Sequence, residues 1–142
     1  MSVDLIVLVS NLERFSEQSC AGFMSRYGFG LEFPSGFDLD TQEGVLPCRL
    51  VGLVGSRQTV DTCIEVDLEP GGSPGEGTEI LLATRGDEFE WMLAHALGAY
   101  FVSELGATLE DPQEGTSYSA SNAGYLDALV SQLLSEAVQT SA

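Results

Sequence analysis

One histidine, three cysteines and a large excess of carboxylates are the groups in this 142-residue sequence that could do chemistry. His95 is the first to weigh, because imidazole titrates near neutral pH and can act as a general acid or base. Glu88 is a carboxylate that could serve it. It lies seven residues earlier, two helical turns along the same face and too far for a direct hydrogen bond. His95 is set among Met92, Leu93, Ala96 and Leu97, at the edge of an apolar stripe, which is the setting of a structural histidine. A metal would need further ligands, and the sequence has no second histidine to complete a helical pair. Asp38-Leu39-Asp40-Thr41-Gln42 opens like a calcium loop, but Glu43 stands where that loop needs glycine and Arg49 where it needs glutamate. Cys20, Cys48 and Cys63 form no CxxC pair. There is no GxSxG elbow, and PGGSPGEG carries a glutamate where a phosphate loop needs a cation. The absence of lysine excludes Schiff-base chemistry. Acid pairs for glycoside hydrolysis are expected from composition alone in so acidic a chain. No catalytic constellation, metal or cofactor is expected.

The carboxylates are informative as a surface. Twenty-two acidic residues against five arginines give a formal charge of −17. In Val60–Glu69, Val60, Thr62, Ile64, Val66 and Leu68 alternate with Asp61, Cys63, Glu65, Asp67 and Glu69. A period of two puts the apolar residues on one face of a strand and the carboxylates on the other. Neighbouring carboxylates on that face stand roughly 6.5–7 Å apart. That is inside the Debye length of about 8 Å at physiological salt, so they repel unless solvated or met by a basic partner. Asp61, Glu65, Asp67 and Glu69, with Asp38, Asp40 and Glu43 in the acidic connection 37–44, are the candidate partner-binding residues. Such a field repels nucleic acid and anionic membrane and steers basic proteins toward itself. The scattered arginines at 14, 26, 49, 57 and 85 make no basic patch. The alternatives are a surface that only confers solubility, a nucleic-acid mimic that fills a DNA-binding groove, and a small enzyme using His95.

The element that must organise these groups runs from Asp87 to Leu105. Phe89, Met92, Leu93, Ala96, Leu97, Tyr100, Phe101 and Leu105 recur at helical spacing and predict a core helix with one wide apolar stripe. Asp87, Glu88 and Glu90 suit the positive end of its dipole, and Gly106 is placed to end it. Val3–Ser10 reads as a strand covered on both faces. A helix over Leu12–Tyr27, capped by Asn11 and ended at Gly28, follows. Short apolar runs predict strands at Phe29–Phe33, at Val45–Val54, at Glu79–Thr84 and at Ala107–Leu109. Pro47 argues that the second of these is an edge strand or begins after the proline. Pro34-Ser35-Gly36 and Asp111–Gly115 are turns and Pro70–Gly77 a hairpin loop, while Tyr118–Ala123 is polar and small. Tyr125, Leu126, Leu129, Val130, Leu133, Leu134 and Val138 predict a closing helix. Strands clustered between helices predict an α+β fold, a single antiparallel or mixed sheet with helices mainly on one face. The carboxylate ladder is expected on the other.

The length suits one domain spanning residues 1–142, and a hydrophobic content of 44% argues against disorder. Three cysteines without a pairing pattern fit a reducing compartment. The N-terminal apolar run is short and has no basic residue before it, so it is expected to be a strand and not a signal peptide. A cytoplasmic protein without a membrane span is expected.

In the C-terminal half, a strand, an amphipathic helix, LGATLEDPQEG at Leu105–Gly115 and a closing helix resemble small acidic immunity proteins of bacterial polymorphic-toxin and interbacterial competition systems. Gly44-Val45-Leu46-Pro47 followed by Gly52 is similar to a recurring piece of the same group. The resemblance spans about half the chain, and the motifs that carry it are structural turns. It implies a protein that binds a cognate toxin and blocks it, without catalysis.

Overall fold

The computed structural model describes residues 3–10, 15–32, 44–51, 63–70, 78–84 and 88–141. Seven strands form one antiparallel sheet in the order β2-β3-β4-β5-β1-β6-β7. They are β1 (Val3–Val9), β2 (Gly30–Glu32), β3 (Gly44–Val51), β4 (Cys63–Pro70), β5 (Thr78–Thr84), β6 (Thr108–Asp111) and β7 (Thr116–Tyr118). Three helices complete the α+β fold: α1 (Glu17–Met24), α2 (Glu88–Leu105) and α3 (Ala123–Ser141).

Alternation within the strands decides which face the helices cover. Leu5, Val7 and Val9 of β1, Ile80 and Leu82 of β5 and Leu109 of β6 are buried. Helix α2 crosses this face over β4, β5, β1 and β6. The intervening residues are wet: Leu8 is 42% exposed, Glu79 is exposed, and Ile6, Leu81, Ala83 and Glu110 are half-buried. The expectation that β1 is covered on both faces is thus corrected. Both β1 and β5 are apolar on both sides, yet the described helices gather on only one.

Helix α2 begins with Glu88 and Glu90 in its first turn and ends at Gly106, whose φ of +66° is the left-handed conformation expected there. Its burial exceeds a stripe, because every residue from Met92 to Val102 is buried. The sheet lies on one side of it, and α3 and α1 pack on it as well. The small residues Ala94, Ala96, Gly98 and Ala99 allow these close approaches. A helix enclosed in this way is apolar all round, with no solvent face to pattern.

Helix α1 starts later than expected. Ser16 caps it, its hydroxyl accepting from the Ser19 amide at 2.9 Å. Asn11 and Leu12 lie outside the described residues. A 3-10 turn at Ser25–Tyr27 then ends at Gly28, where φ is +88°. An aromatic cluster binds α1 to α2: Phe23 meets Tyr100 edge-on at 5.7 Å, and Phe15 stacks on Phe101 at 6.1 Å. The Ser19 and Tyr100 hydroxyls share a hydrogen bond of 2.6 Å. Tyr27 donates to Asp127 Oδ1 at 2.7 Å, tying the 3-10 turn to α3.

Pro47 lies inside β3, opposite Glu65 of β4. Among the described residues, β2 pairs with residues 49–51 of β3 and none pairs with Pro47 on that side, where a missing N–H is tolerated. Strand β7 is not expected from the sequence, and only its last residue, Tyr118, falls in the polar stretch Tyr118–Ala123. It pairs with β6 across a turn in which Asp111 Oδ1 accepts from the Gln113 and Glu114 amides at 3.1 and 3.3 Å. Gly115, at φ +65°, completes the reversal.

Candidate functional site: the open face of the sheet

Strand register sets which residues share the uncovered face, because directly opposed residues in an antiparallel pair point the same way. Glu65 opposes Ala83, Asp67 opposes Leu81, and Glu69 opposes Glu79. Ala83, Leu81 and Glu79 in turn oppose Asp4, Ile6 and Leu8, and Ile6 and Leu8 oppose Glu110 and Thr108. Three rows therefore run across the sheet. One holds positions 65, 83 and 4; the next holds 67, 81, 6 and 110; the third holds 69, 79, 8 and 108. The candidate positions Glu65, Asp67 and Glu69 belong, by backbone register, to the face on which Glu79 is exposed and Glu110 half-buried. For β3 and β4 only the backbone pairing is described. Asp61, Asp38, Asp40 and Glu43 lie outside the described residues.

Two features of this face depend on strand pairing and could not be read from the β4 segment alone. Asp4, Glu79 and Glu110 join the carboxylate positions of β4, although they come from segments far apart in sequence. Ile6, Leu8 and Leu81 place apolar surface among them. By register the face is an acidic field around an apolar strip, with Arg49, opposite Cys63 and beside Glu32, as a basic position toward its β2 edge.

His95 is elsewhere. It is 1% exposed within α2, and its Nδ1 is 2.9 Å from the Trp91 carbonyl oxygen. A carbonyl can only accept, so the proton is on Nδ1. The Trp91 ring stands edge-on at 4.3 Å between centroids. Burial holds the imidazole pKa below its ordinary value, partly opposed by the Trp91 carbonyl and by the charge of Asp111. Glu88, its suggested partner, is exposed. Burial also raises the Tyr118 hydroxyl, with Asp111 and Glu114 adding to the shift. Cys20 is a buried thiol.

On the helical side, Arg26, Tyr27, Ser131, Leu134, Ser135, Val138 and Gln139 line an open groove of about 440 Å³. Arg26 lies over the Phe23 ring at 4.8 Å and reaches Asp127 at 3.8 Å, both charged side chains being about half exposed. An ion pair this long and this wet contributes little. Burial raises the Tyr27 hydroxyl well above its ordinary value, and its hydrogen bond to Asp127 and the Asp127 charge push the same way.

Among the described residues, no three metal-ligating side chains gather and no helix is long and apolar enough to cross a membrane. Comparison with family models, with curated proteins and with solved structures gave no match to the chain.

Proposed function

We propose that this is a non-catalytic binding protein of the cytoplasm, an immunity protein that neutralises a cognate basic toxin through the open face of its sheet. The supporting observation is the register that gathers the positions of Glu65, Asp67, Glu69, Glu79 and Glu110 on the face that none of the described helices covers. A chain of −17 tolerates this concentration of like charge most easily where water or a cationic partner meets it. Asp61, Asp38, Asp40 and Glu43, which lie outside the described residues, are proposed as part of the same interface on their charge alone. Opposite charge accelerates encounter, which matters to an inhibitor that must engage its target before the target acts. Nucleases are natural candidates, since an enzyme that holds phosphates carries a basic groove.

The test uses charge reversal. With a basic toxin captured by the chain, the Glu65→Lys/Asp67→Lys protein should associate at least tenfold more slowly at low salt and lose much of the salt dependence. It should also protect cells producing that toxin less well. An unchanged association rate removes these residues from the interface. Duplex DNA competing for many unrelated partners would point instead to nucleic-acid mimicry.

A further inference from the structure

We infer that Ile6, Leu8 and Leu81 form the apolar centre of this docking face, fitted to a protein surface whose central apolar side chain is ringed by Lys or Arg. The inference rests on the acidic face proposed above and adds its chemistry of recognition. In the middle row, Asp67, Leu81, Ile6 and Glu110 follow one another across four adjacent strands. Two apolar positions are thus flanked on both sides by acidic ones, over roughly 14 Å at the usual strand spacing. In the adjoining row Leu8 sits beside Glu79, and it is 42% exposed near the middle of a seven-stranded sheet. One exposed leucine is ordinary. Its continuity with Ile6 and Leu81 makes a strip, and an apolar core within a charged rim is the anatomy of a protein interface.

The charge decides the occupant. Every ionisable position on the two rows crossing β4, β5, β1 and β6 is acidic, so a second copy of the chain would meet this face with like charge. A cationic partner is attracted by the rim and held by the strip. Division of labour follows: the carboxylates govern the association rate, and the strip governs the lifetime of the complex.

Two decapeptides of equal charge test this, one alternating Leu and Lys, the other Ser and Lys. At physiological salt the Leu-Lys peptide should bind at least tenfold more tightly, equivalent to about 1.4 kcal/mol. Leu8→Ser, a surface change whose folding is checked by circular dichroism, should bring the two to near parity. Tyr125→Ser, at a position 78% exposed on α3, should leave the ratio intact. Parity in the unaltered protein, or a loss caused by Tyr125→Ser instead, would overturn the inference while leaving the acidic face standing. A dimer seen by sedimentation and abolished by Leu8→Ser would assign the strip to a second copy and likewise overturn it. Failure of both peptides to bind even at low salt removes the acidic docking face itself, and the inference with it.

Discussion

Gly98→Ala should destabilise the protein by about 1–2 kcal/mol, although alanine is the better helix former by about 1 kcal/mol. A Cβ at position 98 would stand 2.5 Å from Leu109 Cδ2, 3.0 Å from Cδ1 and 3.2 Å from Cγ. Both methyls and the carbon joining them are in the way, so no simple rotation clears the clash. Leu109 is fully buried and cannot swing into solvent. Helix α2 must lift from β6 or Leu109 must leave its rotamer, and overpacking of this kind typically costs about 1–3 kcal/mol. Leu109→Ala alone should cost about 2–5 kcal/mol by leaving a cavity under the helix. In the double variant the new methyl enters space the leucine has vacated. Its cost should therefore fall at least about 1 kcal/mol short of the sum, the coupling expected of residues in direct contact. Urea denaturation of the four proteins measures this, and strict additivity would show that α2 does not rest on β6 through this contact.

Stability should also fall as the pH drops from 7 toward 5, through His95. The unfolded chain takes up a proton near pH 6.5. The folded chain resists until lower pH, because burial holds the imidazole below its ordinary value. Between the two pKa values the unfolded state binds more protons, so unfolding becomes easier with acidification, by at most about 1.4 kcal/mol per pH unit. Above both values the group contributes nothing to the pH dependence, and below the folded value the loss saturates. His95→Asn supplies an N–H close to where Nδ1 offers one to the Trp91 carbonyl and has nothing to titrate. Its urea midpoint should be lower at pH 7 yet change less between pH 7 and 5 than that of the unaltered chain. Carboxylates begin to protonate in the same window, but they are common to both proteins and cancel in the difference. The sole histidine makes the assignment unique. Equal pH dependence in the two proteins would mean that His95 is as readily protonated folded as unfolded.

The elements legible in the sequence were those with a strong period and a marked end. Helix α2 declares itself through large apolar residues at three- and four-residue steps and through Gly106. Its complete enclosure does not, because Ala94, Gly98 and Ala99 mark no direction in a pattern read from large side chains. The alternation in β4 is visible, and with it the existence of an acidic face. The remainder of that face depends on pairing. Ile6 and Leu81 are seventy-five residues apart, and only the antiparallel register of β1 on β5 brings them together. For the same reason the apolar run of β1 misled: continuous hydrophobicity reads as burial on both sides, whereas Ile6 and Leu8 lie on a face that none of the described helices covers. Strand β7 escaped because Thr116-Ser117-Tyr118 is too short and polar for any period, and its place is fixed by the turn that Asp111 and Gly115 make. For α1, Asn11 and Ser16 are both competent caps by residue type, and the hydrogen bond from the Ser19 amide identifies Ser16 as its cap.

Whether the sheet's bare side is where a partner docks can be seen by methyl-labelled NMR of the protein bound to a basic toxin it captures. Docking there requires that Ile6, Leu8 and Leu81 shift and broaden together on binding, while Leu134 and Val138 in the groove beside α3 stay where they were. Perturbations gathered at Leu134 and Val138, with the three sheet residues unmoved, would contradict it.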